Sequence, residues 1–279
     1  MGENKICYEG IAPFSLSVKY VEFAPEHPED YPQPHVHPQC EIYINISGDV
    51  SFVVENSIYP ISPGSVIITR PFEYHHCIYH RNVMHKHFWI LFSPGENKPL
   101  LDLFYKRAQG MNNLLVLPPE EMDELVSLCH TMVDVPMDAF DQLFSFMKCI
   151  QLLRSAATAV ASPDNYSEDV RYAMGYIGEH FAENVSIREL AKQANVSLNS
   201  LERHFVKLVG MTPSAYLQKK RLANATKLLA GNHSVMDACL QSGFTDYCGF
   251  IALFRRNYGI TPLAYKKTLG TSMEIRNRA

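Results

Sequence analysis

What this 279-residue chain lacks narrows it first. No stretch approaches the roughly 18 uninterrupted apolar residues of a membrane-spanning helix. No secretory leader is expected either, because Lys5 is not followed by an apolar run long enough to act as one. The seven cysteines (7, 40, 77, 129, 149, 239 and 248) are odd in number and include no C-x-x-C pair. They read as reduced cytosolic thiols, mostly in a core. There is one tryptophan, Trp89, and little net charge, formally −4. The near-balance conceals an asymmetry. Residues 181–279 hold 14 Lys+Arg and 6 Asp+Glu, a formal +8, whereas residues 1–180 hold 11 and 23, a formal −12. A basic C-terminal portion suits a phosphate backbone and an acidic N-terminal one does not. The length suggests about two domains, and 47% hydrophobic residues are enough for two cores.

What is present begins with a repeat. Shifting the chain by 49 positions lays Leu201 on Phe250, Phe205 on Phe254, Gly210 on Gly259, Thr212-Pro213 on Thr261-Pro262 and Tyr216 on Tyr265. A repeat of this length marks two copies of one supersecondary unit. In the first copy Ser186 is a candidate N-cap, with Glu189 as its capping-box partner. Ile187, Leu190, Ala191 and Ala194 follow at helical spacing. After a turn at Ala194–Val196, Ser197 caps a second helix with the apolar stripe Leu198, Leu201, Phe205 and Leu208, stopped by Gly210. Two short helices joined by a tight turn make a helix-turn-helix, which presents its second helix to the DNA major groove. The second copy runs from the cap Ser234 through Gln241, turns at Ser242-Gly243-Phe244 and continues from about Asp246 to Asn257.

Two such units, each followed by a G-[MI]-T-P-x-x-Y turn, resemble the DNA-binding domain of the AraC/XylS family of bacterial transcription regulators. The match is carried by "SIRELAKQANVSLNSLERHFVKLVGMTPSAYLQKKRLANATKLL" and "SVMDACLQSGFTDYCGFIALFRRNYGITPLAYKK" and covers about 100 residues. On the first recognition helix, Asn199, Ser200, Glu202 and Arg203 face outward once Leu198, Leu201 and Phe205 turn to the core. Arg203 can pair with guanine, Asn199 with adenine, and Glu202 can accept from cytosine. These positions also match those that touch bases in the family. On the second helix the outward positions are Asp246, Tyr247, Cys248, Gly249, Ile251 and Ala252. Where the family commonly has a polar residue and an arginine, Ile251-Ala252 cannot hydrogen-bond a base edge. Thr245, Tyr247, Arg255 and Arg256 are therefore expected to hold phosphates, so that this unit positions rather than specifies. Between the units, Pro213–Ala230 reads as one helix with Lys219, Lys220, Arg221 and Lys227 outside.

Residues 14–92 read as short strands divided by turns, at Phe14–Phe23, Glu41–Ile46, Ser51–Val54, Ser65–Thr69, Cys77–Tyr79 and His87–Phe92. The turn signals are the four prolines from Pro25 to Pro34, Ser47-Gly48-Asp49 and Ser62-Pro63-Gly64. This pattern indicates a barrel or double-sheet jelly roll. Eight of the twelve histidines lie between His27 and His87. His35-x-His37-x3-Glu41-x6-Gly48 reproduces the first motif of the cupin barrel. Gly64-x6-Pro71-x3-His75 resembles the second, in the variant of AraC-type sensor domains. Enzymatic cupins usually carry a glycine beside that proline; Phe72 and Glu73 in its place speak against an enzyme. Strand periodicity points His35, His37 and Glu41 the same way, with Tyr43 and Asn45 following. Together with His75 they form a ligand set for iron, manganese, zinc or nickel. The alternative is a metal-free polar pocket, which the regulatory setting favours. His87 and Trp89 share a strand face, and an indole suits the apolar face of a sugar ring; a core role for Trp89 is the other reading.

Residues 97–116 resist assignment beyond a helical turn at Leu100–Phe104. Pro118-Pro119 begins a helix carrying Met122, Leu125, Val126, Cys129, Met132 and Val133. A second, from about Met137 to Val160, carries Phe140, Leu143, Phe144, Met147, Ile150, Leu153 and Ala157. The surplus apolar face suggests a homodimer, which matches family habit.

The expected organisation is an all-β cupin or jelly-roll barrel with trailing helices, then an all-α double helix-turn-helix domain. By residue, 1–96 form the sensor, 97–160 a helical dimerisation segment, 161–167 a linker and 168–279 the DNA-binding domain, with units at 186–210 and 234–259. The expected function is a cytoplasmic, nucleoid-associated regulator, not an enzyme, that needs no cofactor. It binds double-stranded DNA and a small molecule, a sugar or related metabolite, and meets RNA polymerase if it activates. A metal-dependent cupin enzyme or metal sensor fused to a DNA-binding domain is the competing reading.

Overall fold

The computed structural model describes residues 6–7, 15–24, 35–80, 83–93, 101–159 and 167–269. Two compact units meet in sequence between Ser162 and Pro163. The N-terminal one contains β1 (Ile6–Cys7), β2 (Ser15–Phe23), β3 (Cys40–Ser47), β4 (Val50–Val54), β5 (Ser57–Ile61), β6 (Ser65–Thr69), β7 (His75–Tyr79) and β8 (His85–Ser93). There follow α1 (Asp102–Tyr105), β9 (Leu114–Val116), α2 (Pro119–Asp134), α3 (Ala139–Ser155) and β10 (Ala157–Ala159). The strands form two sheets, β1-β2-β8-β3-β6-β9-β10 and β5-β4-β7, so among the described residues the architecture is a double-sheet jelly roll.

Strand alternation sorts the large sheet into two faces. Ile42, Ile44, Val66, Ile68, Phe88, Ile90 and Phe92 pack against Met122, Leu125, Cys129, Phe146, Cys149, Ile150 and Leu153 of α2 and α3. The opposite face meets the small sheet, where Tyr43 and Ile67 join Phe52, Val54, Tyr59, Ile61 and Tyr79. Each fully buried phenylalanine here would cost about 3–5 kcal/mol to truncate to alanine.

Several sequence expectations change. β5 went unread because Pro60 interrupts it, yet β5 is the edge of the small sheet, where a missing N–H removes no ladder bond. The helix expected to reach Val160 stops at Ser155, and Ala157–Ala159 pairs with Leu114–Val116. The stripe expected on α3 is split. Gln142, Ser145, Phe146, Cys149, Ile150 and Leu153 face the sheet, while Phe140 and Phe144 are 71% and 55% exposed. The turn region at Pro25–Pro34 and residues 161–166 of the expected linker lie outside the described residues.

The second unit is α4 (Glu168–His180), α5 (Ile187–Gln193), α6 (Leu198–Val209), α7 (Pro213–Ala230), α8 (Val235–Gln241) and α9 (Tyr247–Tyr258), with 262–269 also helical. Its starts are set by side-chain caps. The Ser186, Ser197, Thr212 and Ser234 hydroxyls and the Asp246 carboxylate each accept from the backbone N–H three residues on. The box at Ser186 is only half made, since the Glu189 carboxylate turns instead to Lys192, 2.7 Å away. Gly210 and Gly259 both close their helices in the left-handed conformation, at φ +78° and +75°, as the repeated glycine requires. Leu222, Ala225, Leu229, Ala238, Cys239, Phe250 and Phe254 form the core of the second helix-turn-helix. No described helix is long and apolar enough to cross a membrane.

Candidate functional site

The first site lies between the two sheets. Strand pairing sets Tyr43 opposite Trp89 and Asn45 opposite His87, with Glu41 opposite Thr69, all on the inner face. Glu41 is buried, and one of its oxygens lies 2.9 Å from His37 Nε2 and 3.1 Å from His75 Nε2. His75 stands on the small sheet, so this hydrogen bond spans the sandwich. The other nitrogen of each ring faces a backbone carbonyl, Gln39 O at 3.1 Å for His37 and Glu73 O at 2.7 Å for His75. Burial pushes the Glu41 carboxyl up, but the His75 charge and the bonds from both imidazoles outweigh it and hold the carboxyl well below its ordinary range. Burial likewise works against charge on His75; the Glu41 carboxylate reverses this and raises the imidazole above its usual value.

The ligand atoms of His35, His37, Glu41 and His75 all lie within 4.8 Å of one another. The sequence expectation that these four converge is met in space. Tyr43 is buried too, its ring stacked on His87 with centroids 4.6 Å apart. Burial drives the His87 imidazole down to about 4, so it is neutral at physiological pH.

A polar deficit accompanies this geometry. Among the described residues none offers a hydrogen-bond partner to the buried Trp89 Nε1, His87 Nδ1, Thr69 Oγ1 or Asn45 Oδ1. All four side chains belong to the inner face of the large sheet. Burying such groups unpaired is costly. Thr69 was not singled out from the sequence; the signal was a polar residue ending the apolar run Ser65–Thr69, on the strand beside Glu41. Trp89, half-buried, belongs to this face and not to the helix-packed core.

The sequence motif also placed Glu73 without a role. Its fully buried carboxylate accepts both terminal nitrogens of Arg107, together with Gly110 N at 2.6 Å and Arg70 N at 2.9 Å. Burial opposes the charge, but the Arg107 guanidinium prevails and lowers the carboxyl below its ordinary value. Phe72 beside it takes a left-handed φ of +59°, the backbone conformation a glycine would supply without strain. This corner is a structural clamp on the 107–113 segment.

The second site is the outer surface of the helical unit. On α6 Leu201, Phe205 and Val209 are buried, leaving Asn199 and Arg203 exposed and Ser200 and Glu202 half-buried. The Ser200 hydroxyl is engaged with Ser197 Oγ at 2.9 Å. Behind α6, His204 Nδ1 sits 2.7 Å from Asp169 on α4. Thr245, just before α9, and Arg255 and Arg256 in its last turn are exposed. Three expected outward residues are engaged by the fold: Asp246 is the N-cap, accepting from Gly249 N at 3.0 Å, and Tyr247 and Ile251 both pack, half-buried, on the core. The basic row expected outside α7 is mostly internal. Lys220 is buried, Lys219 donates to Asn257 Oδ1 at 2.8 Å, and Arg221 donates to the Phe181 and Glu183 carbonyls, each at 2.7 Å. Lys227 alone of the four is exposed.

Two family models match the chain, one on each unit. Residues 20–153 match the family described as AraC-like ligand binding domain, and residues 190–268 match a helix-turn-helix domain family. The HTH-type transcriptional activator RhaS of Salmonella schwarzengrund is 28% identical over 264 residues, covering 91% of each chain. The protein of that name from Salmonella arizonae is 28% identical over 279 residues, with the same coverage. A solved AraC-type regulator from Chromobacterium violaceum aligns with 36% of this chain and 91% of its own, at 27% identity and a TM-score of 0.34. A ligand-binding β-domain joined to two helix-turn-helix units defines a small-molecule-responsive, DNA-binding transcription regulator. The chain belongs to the AraC/XylS family.

Proposed function

We propose that the effector occupies the space between the sheets, held by Tyr43, His87 and Trp89 at one end and by His35, His37, Glu41 and His75 at the other. The observation carrying this reading is the set of buried polar atoms left without partners on that face, led by the Trp89 indole N–H. A polyhydroxylated molecule such as a sugar fits: its hydroxyls donate and accept, and its C–H face can lie on the indole. Trp89 is the only tryptophan, so its fluorescence reports on the site directly. The test is a screen of the full chain against sugars, sugar acids and divalent metals with a chelator control, reading melting temperature and Trp89 emission together. A ligand at 100 times its dissociation constant adds about 2.7 kcal/mol of stability. A midpoint shift without any change in Trp89 emission would move the site elsewhere.

A second reading makes His35, His37, Glu41 and His75 a divalent-metal site. It is favoured by ring orientation: with Nδ1 anchored on a backbone carbonyl, both Nε2 atoms converge on Glu41, as in metal-bound histidines. A metal-dependent enzyme or metal sensor would follow from it. A chelator-reversible shift with zinc, manganese or iron, and none with sugars, supports that reading over the first.

On DNA, Asn199 and Arg203, with Ser200 and Glu202 beside them, read base edges from α6. Tyr247, Arg255 and Arg256 on α9, with Thr245 just before it, hold phosphates. With its 18 residues, α7 is about 27 Å long, which suits successive major grooves about 34 Å apart. Dimerisation is assigned to the outer side of α3, where Phe140, Phe144 and Met147 recur at helical spacing, 71%, 55% and 36% exposed. Asp141 lies toward one end of this face and Lys148 and Arg154 toward the other, so two antiparallel copies set opposite charges together. The regulator would work in the cytoplasm on the nucleoid. The activator role named for its relatives, carried here, implies contact with RNA polymerase.

A further inference from the structure

We infer that Arg221 is a positioning residue that locks the two helix-turn-helix units into one geometry and thereby couples their grip on DNA. The inference rests on the reading that both units touch DNA. Arg221 stands near the middle of α7. Its Nε donates to Phe181 O and its Nη2 to Glu183 O, each at 2.7 Å. Phe181 is the C-cap of α4, where a helix leaves carbonyls without N–H donors of its own, and Glu183, whose carbonyl also accepts from Val185 N at 3.0 Å, lies in the turn that leads into α5, the first helix of the first unit. The same guanidinium lies 6.0 Å from the centroid of the Phe244 ring, in the turn between α8 and α9. One residue before it, Gly243 has φ +80°, and a Cβ there would come within 2.7 Å of Ala182 O and 2.8 Å of Ala182 Cα. The turn of the second unit thus rests on the backbone leading into the first. Asn224, three residues and nearly one turn further along α7, donates to Ser242 Oγ at 3.1 Å.

Three elements therefore meet at one guanidinium: the end of α4, the middle of α7 and the turn of the second unit. Arginine is suited to this junction because its planar fork supplies two donors in fixed directions and a flat face for the ring, which a lysine ammonium cannot do together. The consequence is functional. Two recognition elements on one chain gain from simultaneous engagement only if their spacing and angle are held, and the gain disappears when geometry forbids both.

The test uses the full chain and a duplex selected from a randomised pool by the unaltered protein, trimmed to the stretch one protomer protects. It is compared with a duplex cut back so that the half under α9 is missing, because phosphate contacts survive any change of base sequence. The unaltered protein is expected to prefer the intact duplex over the shortened one by about 10- to 100-fold. Arg221→Lys and Gly243→Ala are each expected to bind the shortened duplex about as well as the unaltered protein, while losing most of the preference for the intact one. Should Arg221→Lys melt below the assay temperature, Gly243→Ala carries the same test from the opposite side of the junction. Equal weakening on both duplexes, or an undiminished preference, overturns the role of Arg221. If the unaltered protein itself binds the shortened duplex as tightly as the intact one, the reading of α9 as a DNA contact fails instead.

Discussion

Arg203 and Arg256 carry the same charge on equivalent surfaces, yet the reading above assigns them different work, and substitution separates the two. Arg203 is exposed on the first half of α6, one helical turn from Asn199. Four residues rise about 6 Å, close to two base-pair steps of about 3.4 Å, so the pair can address neighbouring bases in one groove. Removing a bidentate arginine–guanine pair costs about 1–3 kcal/mol of discrimination, or about 5- to 150-fold at one position. Arg256 is exposed in the last turn of α9, behind the helix start that enters a groove, so its expected partner is a phosphate. Losing one phosphate contact lowers the dependence of log affinity on log salt by about 0.9 and weakens all sequences alike. The assay is fluorescence anisotropy on the selected duplex and its single-base-pair variants at several salt concentrations. Arg203→Ala should flatten discrimination at one or two base pairs; Arg256→Ala should leave the ranking of duplexes intact and reduce the salt slope. Equal loss of discrimination from both substitutions would refute the division between reading and positioning.

Four substitutions in the N-terminal unit have expected outcomes. Glu73→Ala strands the buried Arg107 guanidinium and the N–H groups of Arg70 and Gly110, at a cost of about 3–5 kcal/mol in unfolding free energy; a loss below about 1 kcal/mol would show that the clamp is dispensable. Because the Glu73 carboxyl is lowered in the fold, its stabilisation is complete above the unfolded-state value and lost as pH falls through the folded one, so Glu73→Gln should flatten the acid limb of a melting-temperature profile. Trp89→Phe removes one buried donor and should weaken effector binding by about 1 kcal/mol, read by calorimetry; unchanged affinity puts the effector elsewhere. Phe144→Glu should leave the fold intact and yield a monomer by sedimentation, and a persisting dimer would reject α3 as the interface.

The helical domain was more legible than the sandwich, for a physical reason. Its helix starts and stops depend on local chemistry, such as the Ser197 hydroxyl on the Ser200 N–H or Gly210 at φ +78°, and local chemistry is written at fixed offsets. Pro213–Ala230 was read to the residue. Strand ends depend on partners far away: Leu114–Val116 and Ala157–Ala159 become strands because they find each other, and neither segment announces it. The convergence of His35, His37, Glu41 and His75 was legible because two short motifs encode it. The unpaired Thr69 was not, because its exposure to the inter-sheet space is a property of three strands at once.

Charge was the signal most easily over-read. The excess of basic residues after position 180 pointed to DNA, and the family membership agrees, but the total does not say which cations meet phosphate. Lys219 serves Asn257, Arg221 the end of α4, and Lys266 the carbonyls of Asn232 and His233 at 3.0 and 2.9 Å. A cation held by protein carbonyls has already exchanged its water for fixed acceptors, and withdrawing it to reach a phosphate would leave those acceptors unpaired. Counterion release on binding should therefore follow those exposed cations that lie on the recognition helices and α7, Lys207, Lys227, Arg255 and Arg256, with Arg203 at the bases, and not the formal charge of the domain. Four phosphate contacts would give a salt slope near −3.6, about 0.9 for each, whereas a slope near −6.3 would mean that the internal cations let go of the fold when DNA arrives.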